Sequence, residues 1–230
     1  MTDKPAVKRK KAAPKSDKSA SDENLRQAVL KAALKDAPFD GFTEGVLAKA
    51  GKSAGVDKAG LARLFPDGPL SLIEYFSTSV DEAMTAKLAA LDLPKLKIRN
   101  RIKAAILTRL ALLAPHKEAA RRAAALLTLP MHAGLAAKMM YRTVDAMWRA
   151  AGDTSTDFNF YSKRGILAGV YGSVLVRWFN DTGEDEKATQ DFLDARIENV
   201  MQFEKFKAKA LETLSHFPAF AAWAAPKTGK

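Results

Sequence analysis

The residue types that most often carry out chemistry in proteins are few in this sequence and widely spaced. It has no cysteine and only three histidines, His116, His132 and His216. None of them stands at metal-ligand spacing from carboxylates. No Glu-x-x-His pair of the di-iron type, phosphate-binding loop or dinucleotide-binding turn is present. The sequence therefore predicts no catalytic residue, no metal site and no cofactor, and the protein is not expected to be an enzyme.

Residues 148–164 combine aromatic, basic and turn-forming side chains in a short stretch. The aromatic and basic members are Trp148, Arg149, Phe158, Phe160, Tyr161, Lys163 and Arg164. Aromatic and arginine side chains clustered at a helix start form the kind of patch that anchors a protein partner. A well-capped turn between two helices is the simpler interpretation of the same stretch. Arg164 could also hold a lipid phosphate or headgroup, or form an ordinary surface salt bridge.

Wide apolar stripes at helical spacing run through residues 76–210. Met139 and Met140 stand on adjacent faces of one predicted helix, and Tyr171 and Val174 belong to a broad stripe on another. An ordinary helical core explains most such residues. Helical bundles also house ligands between their helices, and methionine adapts its shape to flexible apolar ligands. We therefore expect a lipid pocket that involves these four residues together with Arg164.

The stretch Ala54–Phe65 resembles the helix-turn-helix of TetR-type transcription regulators. Gly55 permits the sharp turn, and Asp57 can cap the second helix. Only Lys58 and Arg63 on that helix could reach DNA, and the Asp57 carboxylate would repel phosphate. We therefore expect a retained fold that no longer reads DNA. A TetR-type DNA-binding regulator with a hydrophobic effector pocket stays open as the alternative function.

Periodicity and breaks predict an all-α protein, a TetR-like helical bundle of about ten helices with an N-terminal helix-turn-helix-like subdomain. The helices are expected near residues 22–36, 43–54, 57–65, 69–91, 95–113, 116–128, 133–151, 158–180, 185–210 and 214–224. Five prolines stand at the expected breaks, namely Pro38, Pro66, Pro94, Pro115 and Pro130. Thr182 and Asp185 offer a capping box for the ninth helix.

Charge is distributed unevenly along the chain. The 230 residues include 37 basic and 26 acidic ones, a formal net charge of +11. Seven basic and two acidic residues lie within residues 1–20, a stretch with too few apolar side chains to order itself. We therefore expect a disordered basic tail at 1–20, a helix-turn-helix-like subdomain at 21–75, a lipid-binding bundle at 76–210 and an amphipathic segment at 211–230.

The amphipathic segment combines apolar side chains with the lysines that precede it. Its aromatic residues are Phe217, Phe220 and Trp223. Basic side chains would meet lipid phosphates while aromatic rings enter the membrane interface. We therefore expect peripheral membrane contact through these three residues. Docking on the core, or disorder, agrees with the pattern equally well. The N-terminal tail has the pattern of neither a secretory signal nor a mitochondrial transit peptide.

Several segments together resemble one known family. Residues 152–161, with the pattern Gly-Asp-Thr-Ser-Thr-Asp-x-Asn-x-Tyr, are similar to the signature of the ubiquinone (coenzyme Q) biosynthesis accessory family, the ninth of the coenzyme Q series. Further segments extend the likeness, namely Gly41–Glu44, Leu64–Pro69, Pro115–Glu118 and Phe192–Val200. Together the resemblance covers roughly residues 25–208.

This resemblance implies a TetR-like fold, binding of lipids that include isoprenoid quinone precursors, and support of the di-iron quinone hydroxylase late in ubiquinone assembly. Four residues inherit the implied partner surface, namely Asp157, Phe160, Tyr161 and Arg164. The family usually has tryptophan at position 160, so Phe160 keeps an aromatic ring but lacks an indole N–H. Met147 and Trp148, just upstream, could extend the same surface.

Three functions agree with these patterns. The first is a non-catalytic, lipid-binding accessory protein that presents an isoprenoid quinone precursor to the hydroxylase. The second is the transcription regulator, and the third is an adaptor whose bundle holds only a filled core. For the first we expect a cytoplasmic protein, peripheral at the inner face of the membrane, or on the matrix side of mitochondria if the chain is eukaryotic. The chain could also form a homodimer.

Overall fold

The computed structural model describes residues 15–154, 158–183 and 185–215, and all the regular secondary structure within them is helical. The α-helices are α1 (Lys15–Asp40), α2 (Glu44–Ser53), α3 (Lys58–Leu64), α4 (Pro69–Ala89), α5 (Ile98–Leu113), α6 (Lys117–Leu127), α7 (Ala133–Ala150), α8 (Phe158–Phe179) and α9 (Lys187–Ser215). Short 3-10 helices occupy Leu93–Lys95, Ala114–His116 and Pro130–His132. The predicted all-α class is confirmed, and the first nine predicted helices are present. Most of the tenth, predicted at 214–224, falls outside the described residues.

The chain forms two compact units. The first comprises the chain up to Ser79 together with His116–Ala133, and the second comprises Val80–Pro115 together with the chain from Gly134 onward. Residues 116–133 were predicted to belong to the bundle. In the structure they belong to the first unit, because α6 packs against α1.

The first unit contains the helix-turn-helix formed by α2 and α3. The Thr43 hydroxyl accepts a hydrogen bond from Val46 N (3.2 Å) at the start of α2, and Asp57 Oδ1 accepts one from Gly60 N (2.7 Å) at the start of α3. These caps satisfy backbone N–H groups that have no partner within their own helix. Gly55 has φ +70°, a left-handed conformation that glycine adopts without strain. The predicted roles of Gly55 and Asp57 are therefore confirmed.

The second unit is a bundle of α5, α7, α8 and α9 with the C-terminal part of α4. Its largest fully buried side chains are Trp178, Tyr171, Met84, Leu88, Ile106, Leu110, Met147 and Leu193. The helix α9 packs against both α8 and α5. Apolar residues at helical spacing on these helices form this core, as the stripes predicted.

Three local predictions were wrong. The helix α1 begins at Lys15, so the part of the predicted disordered tail from residue 15 to residue 20 is helical. Pro38 lies inside α1 and not at a break. A proline here has no N–H to donate to the carbonyl oxygen four residues earlier, so α1 lacks one hydrogen bond at this position. Thr182 does not cap α9, which begins only at Lys187. There Asp185 Oδ1 accepts from Lys187 N (3.0 Å).

Among the described residues, no single helix has both the length and the apolar composition needed to cross a membrane. One pair of helical segments, residues 98–127 and 130–150, passes that test jointly, and the two segments meet at an angle of 96°.

Candidate functional site

A cavity of about 280 Å³ lies between α5, α7, α8 and α9 in the second unit. We call it the interhelical cavity. Nine of its lining side chains are apolar, namely Ile98, Ile102, Trp148, Ile166, Leu167, Val170, Ile197, Val200 and Met201. Its polar lining residues are Arg99, Ser162 and Lys163. Spaces of this kind, mostly apolar with a few polar groups, are typical of small-molecule sites.

A second hollow of about 380 Å³ lies beside the first, between α8 and α9. We call it the lateral groove. Its lining residues are Ile166, Gly169, Val170, Ser173, Arg196, Asn199, Val200 and Phe203. Ile166, Val170 and Val200 line both spaces, so the two are adjacent. An added Cβ at Gly169 would meet no atom within 4 Å, which shows how open this side of α8 is.

Lys163 and Trp148 contact each other in the cavity wall. The Trp148 indole N–H donates to Lys163 O (3.2 Å), and Lys163 Nζ lies 5.6 Å from the centroid of the Trp148 ring. Lys163 Nζ also donates to Asp153 Oδ1 (2.9 Å). These contacts join α7, the turn that follows it and α8 around one side of the cavity.

Arg164 is buried and bound to two carboxylates. Its side chain is 3% exposed, with Nη2 2.6 Å from Asp145 Oδ1 and Nη1 3.3 Å from Asp153 Oδ2. Nη1 also donates to the carbonyl oxygen of Phe160 (3.1 Å), and the guanidinium carbon lies 3.4 Å from the centroid of the Phe160 ring. A guanidinium held in this way is not available to a lipid phosphate. The predicted lipid contact of Arg164 therefore does not agree with its position.

A loop beside the cavity is fixed by Arg101 of α5. Its guanidinium donates to three backbone carbonyl oxygens, those of Pro94 (2.8 Å), Leu96 (2.9 Å) and Ala151 (3.0 Å). Gly152 has φ +87°, and a Cβ there would lie 3.2 Å from Arg101 Nη1. Arg101 therefore connects the segment before α5 to the turn after α7.

A buried polar network crosses the core of the second unit. Arg109 Nε donates to Asp81 Oδ1 (2.7 Å), Arg109 also donates to the Tyr171 hydroxyl, and the Thr143 hydroxyl donates to Asp81 Oδ2 (2.9 Å). Burial lowers the pKa of Arg109, but attraction to the Tyr171 and Asp81 oxygens outweighs it, so the pKa is raised overall. Burial raises the pKa of Tyr171, partly offset by Arg109. Tyr171 is therefore a neutral donor and acceptor within the core.

The five side chains predicted to bind lipid line neither the interhelical cavity nor the lateral groove. Tyr171 and Val174 are buried in the core, and Met139 is buried on α7. The Met140 methyl carbon lies 3.8 Å from the position that a Cβ would occupy at Gly172. The helical stripe selects residues that face inward, but the open space lies beside a neighbouring face of α8.

Of the six predicted partner residues, Phe160, Tyr161 and Arg164 lie together at the start of α8, and the other described ones differ in exposure. Tyr161 is 68% exposed and lies next to the Phe160 ring. Met147 is fully buried, and Trp148 lines the cavity.

Asp157 lies outside the described residues, as do the predicted membrane residues, namely Phe217, Phe220 and Trp223. Further back on α9, Phe203 and Phe206 are 59% and 72% exposed.

The cations near the helix-turn-helix are partly neutralised by α1. Arg63 pairs with Asp22, and Lys49 Nζ lies 2.9 Å from Asp36 Oδ1. A DNA-binding surface needs such cations free to meet phosphates. The pairing therefore agrees with the expectation that DNA reading is absent.

A serine motif that the sequence analysis missed lies at the end of α2. Gly51-Lys52-Ser53-Ala54-Gly55 has the Gly-x-Ser-x-Gly spacing of a nucleophile elbow. That motif requires a turn from a strand into a helix, whereas Ser53 ends a helix and its hydroxyl donates to Lys49 O (3.0 Å). Gly51 allows α2 and α3 to pack closely, because a Cβ there would lie 2.5 Å from Leu61 Cδ1.

In the part of the chain described, no group of three His, Asp or Glu side chains is arranged to hold a metal ion.

Comparison with solved structures finds a TetR transcriptional regulator from Nitrosomonas europaea. The likeness has a TM-score of 0.61 and covers 76% of this chain and 96% of the regulator, at 19% sequence identity. At that identity the likeness establishes the fold alone, which is the predicted TetR-like one.

Comparison with families and curated proteins is more specific. The COQ9 family model matches residues 133–204. These residues include α7, α8 and most of α9. The mitochondrial ubiquinone biosynthesis protein COQ9 of Bos taurus is 34% identical over 79% of this chain and 59% of its own length. The human protein of that name is 33% identical over the same shares. COQ9-B of Xenopus laevis is 31% identical over 83% of this chain and 67% of its own length.

The chain thus spans about 60% of the length of its mammalian relatives. The matches to curated relatives extend well beyond the region of the family model, because they cover 79% to 83% of this chain. The signature that first suggested the resemblance, at residues 152–161, falls inside the matched region. By sequence, the chain belongs to the COQ9 family.

Proposed function

We propose that this protein is a non-catalytic, lipid-binding accessory protein of ubiquinone biosynthesis that presents an isoprenoid quinone precursor to a di-iron quinone hydroxylase. One observation carries the proposal, which is the largely apolar interhelical cavity in a chain of the COQ9 family. Curated members of that family are named ubiquinone biosynthesis proteins. A precursor with a long isoprenoid chain needs such a protected apolar space when it leaves the membrane.

The chemistry of the cavity wall supports a lipid as the ligand. Nine of its twelve lining residues are apolar, and they come from four different helices. Met201 can follow the shape of a flexible chain, because methionine is unbranched and adapts its shape. The adjacent lateral groove gives a long ligand a path along α8 and α9.

The proposed contact with the hydroxylase lies at the start of α8. Tyr161 is exposed there, and an exposed aromatic ring beside a second ring is a typical anchor in a protein interface. Phe160 contributes from beneath, where it stacks with Arg164. Asp157 stays part of the proposal from the family resemblance. In this arrangement the proposed partner surface adjoins Ser162 and Lys163 of the cavity wall.

The proposed membrane contact is peripheral and lies toward the C-terminus. Phe203 and Phe206 are exposed on α9 and precede the predicted membrane residues, namely Phe217, Phe220 and Trp223. Exposed aromatic side chains of this kind enter the membrane interface. The relatives are mitochondrial by name. For this chain we propose the corresponding position at the inner face of the membrane that holds the quinones.

The lipid proposal is tested by filling the cavity. Val170→Trp places a large side chain in the shared wall of the two spaces, whereas Val176→Trp makes the same change at an exposed position (63%) of the same helix. Native mass spectrometry with farnesol as the probe should show binding to the wild type and to Val176→Trp. We expect at least a tenfold loss in Val170→Trp. Failure of the wild type to bind, or unchanged binding by Val170→Trp, would refute the lipid function.

The partner proposal needs a separate test. Tyr161→Ala should lower association with the hydroxylase in a pull-down by several-fold while farnesol binding stays at the wild-type level, because the ring is on the surface and outside the cavity lining. If Tyr161→Ala associates as well as the wild type, the partner surface lies elsewhere.

A further inference from the structure

The lining of the two spaces is electrostatically one-sided. Among the described lining residues three are basic, namely Arg99 and Lys163 in the interhelical cavity and Arg196 in the lateral groove, and none is acidic. A wall of this kind favours a ligand that carries negative charge or accepts hydrogen bonds, and disfavours a cationic head. The three cations differ, however, in how far other residues already engage them.

Lys163 and Arg99 are the weaker candidates for binding the polar end of a ligand. The Lys163 ammonium group already binds Asp153 and lies beside the Trp148 ring. Arg99 makes no ion pair with any described residue, but it is an exposed side chain at the first turn of α5. An exposed cation that stays in water gives up little by having no partner.

Arg196 is different, because part of its guanidinium is buried without an acceptor. Its Nε is shut off from solvent and has no hydrogen-bond partner. The rest of the group is held in place, with its carbon atom 5.0 Å from the centroid of the Phe192 ring. With its amide oriented so that nitrogen donates to Ala195 O (3.2 Å), Asn199 accepts from Arg196 Nη2 (3.0 Å). A buried N–H of a charged group that lacks an acceptor is costly, and structures rarely keep one without a reason.

The groove around Arg196 is suited to a polar group with an apolar tail. Ser173 and Asn199 add polar side chains to its lining, and Phe203 closes it with an aromatic ring. Its other end shares Ile166, Val170 and Val200 with the apolar cavity. A lipid could therefore extend its tail into the cavity and keep its head in the groove.

We propose that the Arg196 guanidinium binds the anionic oxygen head of an amphiphilic lipid whose tail occupies the interhelical cavity. This inference rests on the proposed lipid function and specifies the class of ligand for the same site. Phosphate, carboxylate and ionised phenol heads share the required chemistry. Neutral alcohols of the same chain length bind more weakly because they offer no charge to the guanidinium.

The test compares two probes of equal chain length, farnesyl phosphate and farnesol, by isothermal titration calorimetry on the full chain. The wild type should bind farnesyl phosphate about tenfold more tightly than farnesol, the difference expected for one charge-assisted hydrogen bond. Arg196→Gln should lose this preference and keep its affinity for farnesol, which also shows that the variant is folded. Arg177→Gln, an exposed change on α8 outside both linings, should behave as the wild type.

The remaining outcomes separate the possible failures. If Arg99→Gln and not Arg196→Gln abolishes the preference, the head lies at the other end of the cavity and the assignment to Arg196 is wrong. If inorganic phosphate displaces farnesyl phosphate at equal concentration, the site binds free phosphate and not a lipid head. Equal affinity of the wild type for both probes overturns this inference alone. If the wild type binds neither probe, the proposed lipid function fails with it.

Discussion

At the residue scale, Arg164 shows how one side chain holds the start of α8 in place. Its guanidinium binds Asp145 of α7 and Asp153 of the turn that follows, and it stacks on Phe160 of its own helix. All three charged groups are largely buried. A buried carboxylate that loses its cation is destabilised far more than an exposed one.

We therefore expect Arg164→Ala to destabilise the protein by about 2 kcal/mol, because two buried carboxylates each lose one cation. Asp145 keeps Arg149 and Asp153 keeps Lys163 as a remaining partner, which limits the loss. Tyr161→Ala, three residues away but exposed, should change the free energy of unfolding by less than about 0.5 kcal/mol. Urea denaturation followed by circular dichroism measures both values. Equal stability of Arg164→Ala and the wild type would show that the network is not structural.

The sequence predicts the faces of helices better than it predicts the roles of single residues. Met147 and Trp148 are neighbours in sequence and both were predicted for the partner surface, yet one is fully buried and the other lines the cavity. Successive residues on a helix point about 100° apart, so neighbours differ in environment. Arg196 received no prediction, and its only sequence signal was its place within the family-like segment 192–200. Its importance depends on an unpaired N–H, which no sequence pattern shows.

At the element scale, the start of α9 depends on Asp181. This carboxylate accepts from Thr189 N (2.8 Å), from the Thr189 hydroxyl (2.6 Å) and from Gly183 N (3.1 Å). The hydrogen bond from the Thr189 hydroxyl is the main reason that the pKa of Asp181 is lowered, with the two backbone N–H groups helping. The ionised form therefore stabilises the turn and the first turn of the helix.

This lowered pKa predicts a pH dependence with a definite sign. A carboxyl group whose pKa is lower in the folded than in the unfolded state contributes stability above the ordinary value, about 4, and loses it as pH falls through the lowered value. Asp181→Asn should therefore lower the melting temperature relative to the wild type at pH 7 and pH 5. The difference should shrink as the pH falls below about 4. A difference that stays constant down to pH 3 would contradict the assignment.

The close approach of α2 and α3 predicts opposite effects for two glycines of the same helix. Gly51→Ala forces a methyl group against Leu61 and should cost about 1–3 kcal/mol. Gly45→Ala, where the nearest atom would be 3.8 Å away, should stabilise the protein by about 0.5–1 kcal/mol. Thermal denaturation distinguishes the two. Leu61→Ala should relieve the effect of Gly51→Ala in the double variant, and an additive result would show that the two side chains do not meet.

The elements themselves were largely predictable from periodicity, glycine and proline. Pro66 lies between α3 and α4, and Pro94, Pro115 and Pro130 lie in the short 3-10 helices that separate longer ones. Pro38 is the exception, because α1 continues to Asp40 despite the missing N–H. The membership of α6 in the first unit was not predictable, since it depends on packing against α1, far away in sequence.

At the scale of the whole molecule, a TetR-like fold raises the question of DNA binding. The wild type should bind duplex DNA no more tightly than proteins that bind DNA without sequence preference, with a Kd of about 1 μM or weaker. The reason is that Arg63 and Lys49 pair with α1 carboxylates. The double variant Asp22→Asn/Asp36→Asn releases both cations and should bind more tightly and with a steeper salt dependence. Fluorescence anisotropy measures both. Sequence-selective nanomolar binding by the wild type would restore the regulator as the leading function.

Arg101 binds carbonyl oxygens of two segments that are far apart in sequence, two before α5 and one after α7. If either segment opens to solvent, Arg101 no longer holds it against the other, which weakens the order of both. In hydrogen–deuterium exchange, the amides of residues 93–97 and 151–153 should therefore exchange as one cooperative unit, although more than fifty residues separate them. Arg101→Ala would divide that unit in two, and each segment would then exchange at its own rate.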